Sequence, residues 1–147
     1  MIRNIPWPVR IGRGTEQSSF HWLVMCEQMK AVMSNFVTLL VEDDSLQREL
    51  MANALAGEGF EVVECTTAEA AEAIVTSTGA DLLALVTDQN LAGEMTGTEL
   101  AAYARDRYPH LNIVVMSGST VASLPNDTVF LQKPFLPCEL LEAIRPN

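Results

Sequence analysis

Phe36-Val37-Thr38-Leu39-Leu40-Val41-Glu42-Asp43-Asp44 decides how this chain folds. A short apolar run of this kind suits a strand buried on both faces, as in a parallel sheet, and it stops abruptly on three acidic residues. Similar runs follow. Phe60 to Cys65 reads as a second strand. Leu82 to Thr87 runs into Asp88, Asn112 to Met116 runs into Ser117-Gly118, and Thr128 to Leu131 leads to Lys133-Pro134.

Helical patterns lie between these runs. Asp44 and Ser45 cap a helix to Gly57 that places Leu46, Leu50, Met51 and Leu55 on one face. Thr66-Thr67-Ala68-Glu69 reads as a capping box opening a helix that ends near Gly79. Thr96 or Gly97 precedes a helix to Tyr108, closed by Pro109, and Pro137 starts a last helix to Ile144. Strands alternating with helices predict an α/β fold: a doubly wound, five-stranded parallel sheet covered on both sides.

In such a sheet ligands gather at the carboxyl ends of the strands. Glu42, Asp43, Asp44, Asp88, Ser117 and Lys133 are therefore expected on one rim. Each alone reads as a turn, a helix cap or an exposed lysine. Together, ending successive strands, they read as a site. Crowded carboxylates stay ionised only around a cation, and an open set of oxygen ligands points to Mg²⁺. Lys133 supplies a point charge for a phosphate, and Ser117 a hydroxyl for a phosphoryl oxygen. A carboxylate can itself be the nucleophile, giving an acyl phosphate.

The 147 residues suffice for one domain of ordinary size, and 48% hydrophobic residues allow a real core. A net charge of −10 argues against non-specific binding to nucleic acid or anionic lipid. Cys26, Cys65 and Cys138 form no disulfide or metal-ligand pattern, so they read as small buried or half-buried apolar side chains in a reducing cytosol. His21 and His110 are isolated and read as surface or packing residues. No run approaches the ~20 apolar residues of a membrane span.

The first 33 residues stand apart. They hold four of nine basic residues and two of nineteen acidic ones, leaving a net of −12 in the remainder. Pro6, Pro8, Gly12 and Gly14 oppose regular structure at the start. From Ser18 or Ser19, Phe20, Leu23, Val24, Met25, Met29, Val32 and Met33 fall near one helical face. Residues 1–33 are read as an extension and 34–147 as the domain. Three readings of the extension stand side by side: a helix that docks on the domain or a partner, a targeting peptide, or a stretch outside the natural reading frame, since Met33 opens Met-Ser-Asn-Phe-Val-Thr-Leu-Leu just before the first strand.

The stretch from Phe36 to Arg145 resembles the response-regulator receiver family of two-component signalling. The resemblance rests on Leu39-Leu40-Val41-Glu42-Asp43-Asp44, Thr87-Asp88-Gln89-Asn90-Leu91 with Met95-Thr96-Gly97, Val115-Met116-Ser117-Gly118, and Phe130-Leu131-Gln132-Lys133-Pro134-Phe135. It implies a flavodoxin-like fold and assigns roles by position. Glu42 and Asp43 match the acidic pair that organises Mg²⁺, Asp88 the phosphoacceptor and metal ligand, and the Asn90 carbonyl a further ligand. Ser117 matches the hydroxyl that follows the phosphoryl group, Lys133 the lysine beside it, and Phe130 the aromatic switch.

Two departures qualify the match. Ala92-Gly93 stands where the family usually has Pro-Gly. Only about Gly118 to Asp127 remains for the crossover between the fourth and fifth strands, where roughly 10–12 residues are the usual minimum. Pro125 limits a helix there further. The fourth helix is therefore expected to be shortened, and with it the family's usual output face, as in receivers of hybrid kinases.

The resemblance implies a receiver of a two-component phosphorelay rather than an enzyme, taking a phosphoryl group onto Asp88 in the cytoplasm. Its implied partners are a sensor histidine kinase or histidine phosphotransfer protein and a downstream protein. Because the crossover is short, a partner or a symmetric homodimer is expected to use Leu46 to Leu55 or Leu140 to Ile144. No nucleic acid or membrane is implied. The alternatives are a small Mg²⁺-dependent phosphatase working through an aspartyl-phosphate, and a non-phosphorylated pseudo-receiver.

Overall fold

The structure is a computed structural model that describes residues 23–25 and 37–145, together with His21. The chain divides into two compact units, Met1–Ala31 and Val32–Asn147. In the first, His21 and residues 23–25 are helical and exposed, in keeping with the expected helix. The rest of that helix, its cap at Ser18 or Ser19, and Cys26 lie outside the described residues. None of the helices among the described residues is long and apolar enough to cross a membrane.

In the second unit the order is β1 (Val37–Val41), α1 (Ser45–Gly57), β2 (Glu61–Cys65), α2 (Ala68–Thr78), a 3₁₀ turn (Gly79–Asp81), β3 (Ala84–Asp88), α3 (Gly97–Arg107), β4 (Asn112–Ser117), β5 (Thr128–Gln132) and α4 (Pro137–Ile144). All strand pairs are parallel, in the order β2-β1-β3-β4-β5. The expected doubly wound sheet is present. Its strand order reverses between β1 and β3, and that is where the polar strand ends meet.

Alternation along each strand builds two cores. Leu39, Val41, Leu85, Ile113 and Val115 face α2 and α3, whose Ala68, Ala71, Ala101 and Ala104 let the helices lie close. Leu40, Val86, Val114 and Met116 face the other way, onto Met51 and Leu55 of α1 and Leu140 and Ile144 of α4. Burial of this kind is what holds the sheet together. Truncating one fully buried leucine to alanine costs about 2–5 kcal/mol.

Three local expectations are corrected. On α1 only Met51 and Leu55 are buried, while Leu46 and Leu50 are 65% and 62% exposed. At 100° per residue, Leu46 lies opposite Leu55, so the leucines form two stripes rather than one. Cys138 is exposed, while Cys65 is buried, and both are free. The capping box at Thr66–Glu69 does not form. Thr67 is the cap, accepting from the Ala70 amide, and Glu69 reaches elsewhere. A true capping box closes the start of α3, between Thr96 and Glu99.

The crossover from β4 to β5 holds no helix: residues 118–127 run as bends and a turn. The fourth helix is not shortened but absent, because Pro125 and the short span leave no room for one. Two ties take its place. Leu124 packs against the first core. Arg105, from the last turn of α3, donates to the carbonyls of Pro109 (2.7 Å) and Asp127 (3.0 Å). Asp127 itself has φ +57°, a left-handed conformation that aspartate tolerates better than most residues. Arg105→Ala is expected to remove about 1–3 kcal/mol of stability by urea unfolding, with amide exchange rising first across residues 118–127.

Candidate functional site

The rim at the carboxyl ends of β1, β3, β4 and β5 gathers the residues singled out by the sequence. Each is delivered by a strand or by the turn directly after one. Glu42 follows β1 and is fixed by its backbone, the amide donating to Cys65 (3.0 Å) and the carbonyl accepting from Arg48 (2.9 Å). Asp88 ends β3. The Gln89 amide after it donates to Met116 (2.8 Å), and the Lys133 amide donates to Ser117 (2.8 Å). Four strands thus set the spacing of the side chains before any side chain makes a bond.

Carboxylate oxygens of Glu42, Asp43 and Asp88 lie within 4.8 Å of one another. Glu42 is almost wholly buried, Asp88 is buried at its edge, and Asp43 is exposed. The Lys133 ammonium enters this group, 2.9 Å from Glu42 Oε2 and 3.4 Å from Asp88 Oδ2. It also donates to Gln47 Oε1 at 2.8 Å. Asp44 is set apart as the cap of α1, its carboxylate accepting from the Gln47 amide at 2.8 Å.

Burial pushes the Glu42 carboxyl above the usual range. The bonds from Lys133 and the Asp44 amide only partly offset it, and the nearby charge of Asp88 adds to the rise. Burial alone would lower the Lys133 pKa, but the bond to Glu42 and the charges of Asp88 and Glu42 outweigh it, and the ammonium is held above its ordinary value. One ammonium against three carboxylates leaves the group short of positive charge. Mg²⁺ prefers oxygen ligands and keeps several waters, and this all-oxygen set, open to solvent at Asp43, suits such an ion in its chemistry. Both Glu42 oxygens already accept bonds, from the Asp44 amide and Lys133, so Asp43 and Asp88 are the better placed to ligate.

The remaining expected residues are placed as follows. Ser117 is fully buried at the end of β4, its Oγ accepting from the Ser119 amide at 3.2 Å. Phe130 is half-buried on β5, in register with Val115. Asn90 is exposed, two residues beyond Asp88.

Three residues of the site were not found from the sequence. Gln47 holds Lys133 from the first turn of α1. Gln89 Oε1 accepts from the amide and hydroxyl of Thr98, docking the start of α3 against the loop that follows Asp88. Glu69 Oε1 accepts from the amides of Glu94 and Met95, each at 3.0 Å. The Met95 amide, with those of Glu69 itself and Glu94, holds the Glu69 carboxyl below the usual range. The one signal in the sequence was Gly97. A Cβ there would stand 2.1 Å from the Asp88 carbonyl, so the helix approaches the Asp88 backbone closely enough to need glycine.

Comparison with known proteins gives the family. Residues 38–145 match the family model described as the response regulator receiver domain. Response regulator protein FleR of Pseudomonas aeruginosa is 33% identical over 112 residues, which is 72% of this chain. The matched stretch is 23% of that relative's length. Among solved structures, a response regulator receiver protein from Sinorhizobium medicae aligns with a TM-score of 0.69 at 27% identity, covering 74% of this chain and 90% of that one. The receiver domain of the hybrid histidine kinase CckA aligns with a TM-score of 0.65, also at 27% identity, covering 74% and 94%. A CheY-like receiver from Methanospirillum hungatei gives 0.65 at 26%, covering 74% and 89%. The family model covers most of the chain and the solved receivers share its parallel α/β fold, so this chain belongs to the response regulator receiver domain family.

Proposed function

We propose that Asp88 accepts a phosphoryl group from a phosphohistidine of a sensor histidine kinase or histidine phosphotransfer protein, and that the domain passes the change on by protein contact or by phosphoryl relay. The observation that carries this reading is the placement of Asp88. It ends a buried strand, yet one edge of its carboxylate reaches the rim, 3.4 Å from the Lys133 ammonium.

An Asp88 oxygen attacks phosphorus, the N–P bond of the donor breaks, and the histidine leaves with the electron pair. Asp43 and Asp88, with Glu42 behind them and the Asn90 carbonyl beside them, would hold Mg²⁺, which supplies charge compensation for the phosphoryl oxygens. Lys133 adds a second positive centre. The Ser117 hydroxyl donates to a phosphoryl oxygen and is drawn toward the acceptor, and Phe130 changes rotamer on the neighbouring strand.

The reaction is the domain's own phosphorylation and dephosphorylation, with no separate substrate. A groove of about 660 Å³ between α1 and α4 supports protein docking next to the acceptor. Lys133 stands at its edge and Leu50, Met51, Phe135 and Leu140 line it. Gln47, Leu50, Met51, Ala54 and Leu140 of its lining fall within the stretches Leu46 to Leu55 and Leu140 to Ile144.

Incubation with acetyl phosphate and Mg²⁺ is expected to add the mass of one phosphoryl group, and Asp88→Asn to add none. Labelling of Asp88→Asn would sink the assignment. Asp43→Ala is expected to abolish Mg²⁺ binding in a calorimetric titration, and unchanged binding would place the metal elsewhere. A chain starting at Met33 is expected to take phosphate at the rate of the full chain, checked by the same mass assay. A folded chain of that length that fails to label would show that residues 1–32 take part.

A further inference from the structure

The acceptor loop runs from Asp88 to Thr96, and its two halves are held differently. The near half is fixed by main-chain bonds, from the Gln89 amide to Met116 at 2.8 Å and from the Gly97 amide to the Gln89 carbonyl at 3.0 Å. The far half, 92–95, is attached to the start of α2. A single parallel bridge joins Thr67 and Ala92, and Glu69 Oε1 takes the amides of both Glu94 and Met95 at 3.0 Å. Gly93 fits this arrangement. Its φ is +100°, and a Cβ on it would stand 2.8 Å from Glu69 Oε2. Asn90 lies between the two halves, so the position of its carbonyl depends on both attachments.

We propose that Glu69 is a positioning residue for the acceptor loop, holding the far half so that the Asn90 carbonyl and Asp88 stand in register for a divalent cation. The inference rests on the phosphoacceptor reading above. Ala92 lacks the fixed φ that a proline would give this turn, so the carboxylate of Glu69 supplies the restraint from outside the loop. Groups that orient metal ligands from behind are worth on the order of 10- to 100-fold in metal affinity.

The test compares the wild-type chain with Glu69→Ala and Glu69→Gln. Three quantities are read: Mg²⁺ affinity by calorimetry, the rate of labelling by acetyl phosphate as a function of Mg²⁺, and exchange of the Glu94 and Met95 amides. Glu69→Ala should expose both amides and weaken Mg²⁺ binding on the order of 10-fold. The Mg²⁺ concentration that gives half-maximal labelling should rise by the same order of magnitude.

Glutamine keeps an oxygen that can accept both amides, so Glu69→Gln should recover most of the Mg²⁺ affinity. Exposed amides with Mg²⁺ affinity within twofold of wild type would make Glu69 a brace for the loop alone, and would overturn the inference. So would a folded Glu69→Gln variant that binds Mg²⁺ no better than Glu69→Ala. Failure of the wild-type chain to bind Mg²⁺ or to label would instead overturn the phosphoacceptor reading, and this inference with it.

Discussion

Three carboxylates and one ammonium meet at the seam where the sheet reverses its strand order, and the rest of the rim is arranged around that imbalance. Glu42 is buried at the end of β1, where a lone carboxylate would be costly, and Lys133 reaches it across 91 positions of sequence. The bond ties β5 to β1 over the top of β3 and β4, so it depends on the register of the three strand pairs between them. The same bond orients Lys133 toward Asp88. Gln47 completes the ammonium's shell from α1. What the side chains leave unbalanced is negative charge facing solvent beside Asp43, and a hard divalent cation answers that chemistry better than a further side chain.

Much of this was legible in the sequence because it depends on strand ends. A buried parallel strand announces itself as an apolar run, and the residue that ends it must be on the rim. Glu42, Asp43, Asp88, Ser117 and Lys133 follow from that rule alone, without any knowledge of side-chain contacts. What could not be read were interactions between elements distant in sequence whose residue types carry no pattern. Glu69 looked like the third residue of a capping box because Thr66 precedes it by three. The choice between capping its own helix and bonding the Glu94 and Met95 amides depends on where the acceptor loop passes, and nothing local encodes that. Gln47 and Gln89 are ordinary residues of a first helical turn and of a turn, and only tertiary placement gives them partners. Leu46 and Leu50 were misread for a different reason. A four-residue spacing describes a stripe, but two stripes of leucine on one helix cannot both face the sheet, and Leu55 with Met51 takes that place.

The missing helix between β4 and β5 shows a constraint acting through length. A crossover in a parallel sheet must leave one strand, pass over the sheet face and return to the next. Here residues 118–127 manage it without a helix. Leu124 fills part of the first core, and Arg105 carries the rest of the restraint from α3. Phe130, on the face that a helix would otherwise cover, is left half-buried.

This geometry bears on how a change at Asp88 would reach the surface under the proposed role. Ser117 and Phe130 stand on paired strands, and the strap between them is attached at both ends, to Ser117 through Gly118 and Ser119 and to β5 through Asp127. With Arg105 bonded to the Asp127 carbonyl, the far end of the strap is also fixed to α3, the helix whose start is docked by Gln89 beside the acceptor. A displacement of Ser117 therefore acts on a short segment held at both ends rather than on a helix free to shift along the sheet. Such a segment can bow or flatten, but it cannot slide. The surface that would change under that role is the strap together with the exposed edge of β5, where Val129 already stands open to solvent, because residues 118–127 form no helix whose side could shift.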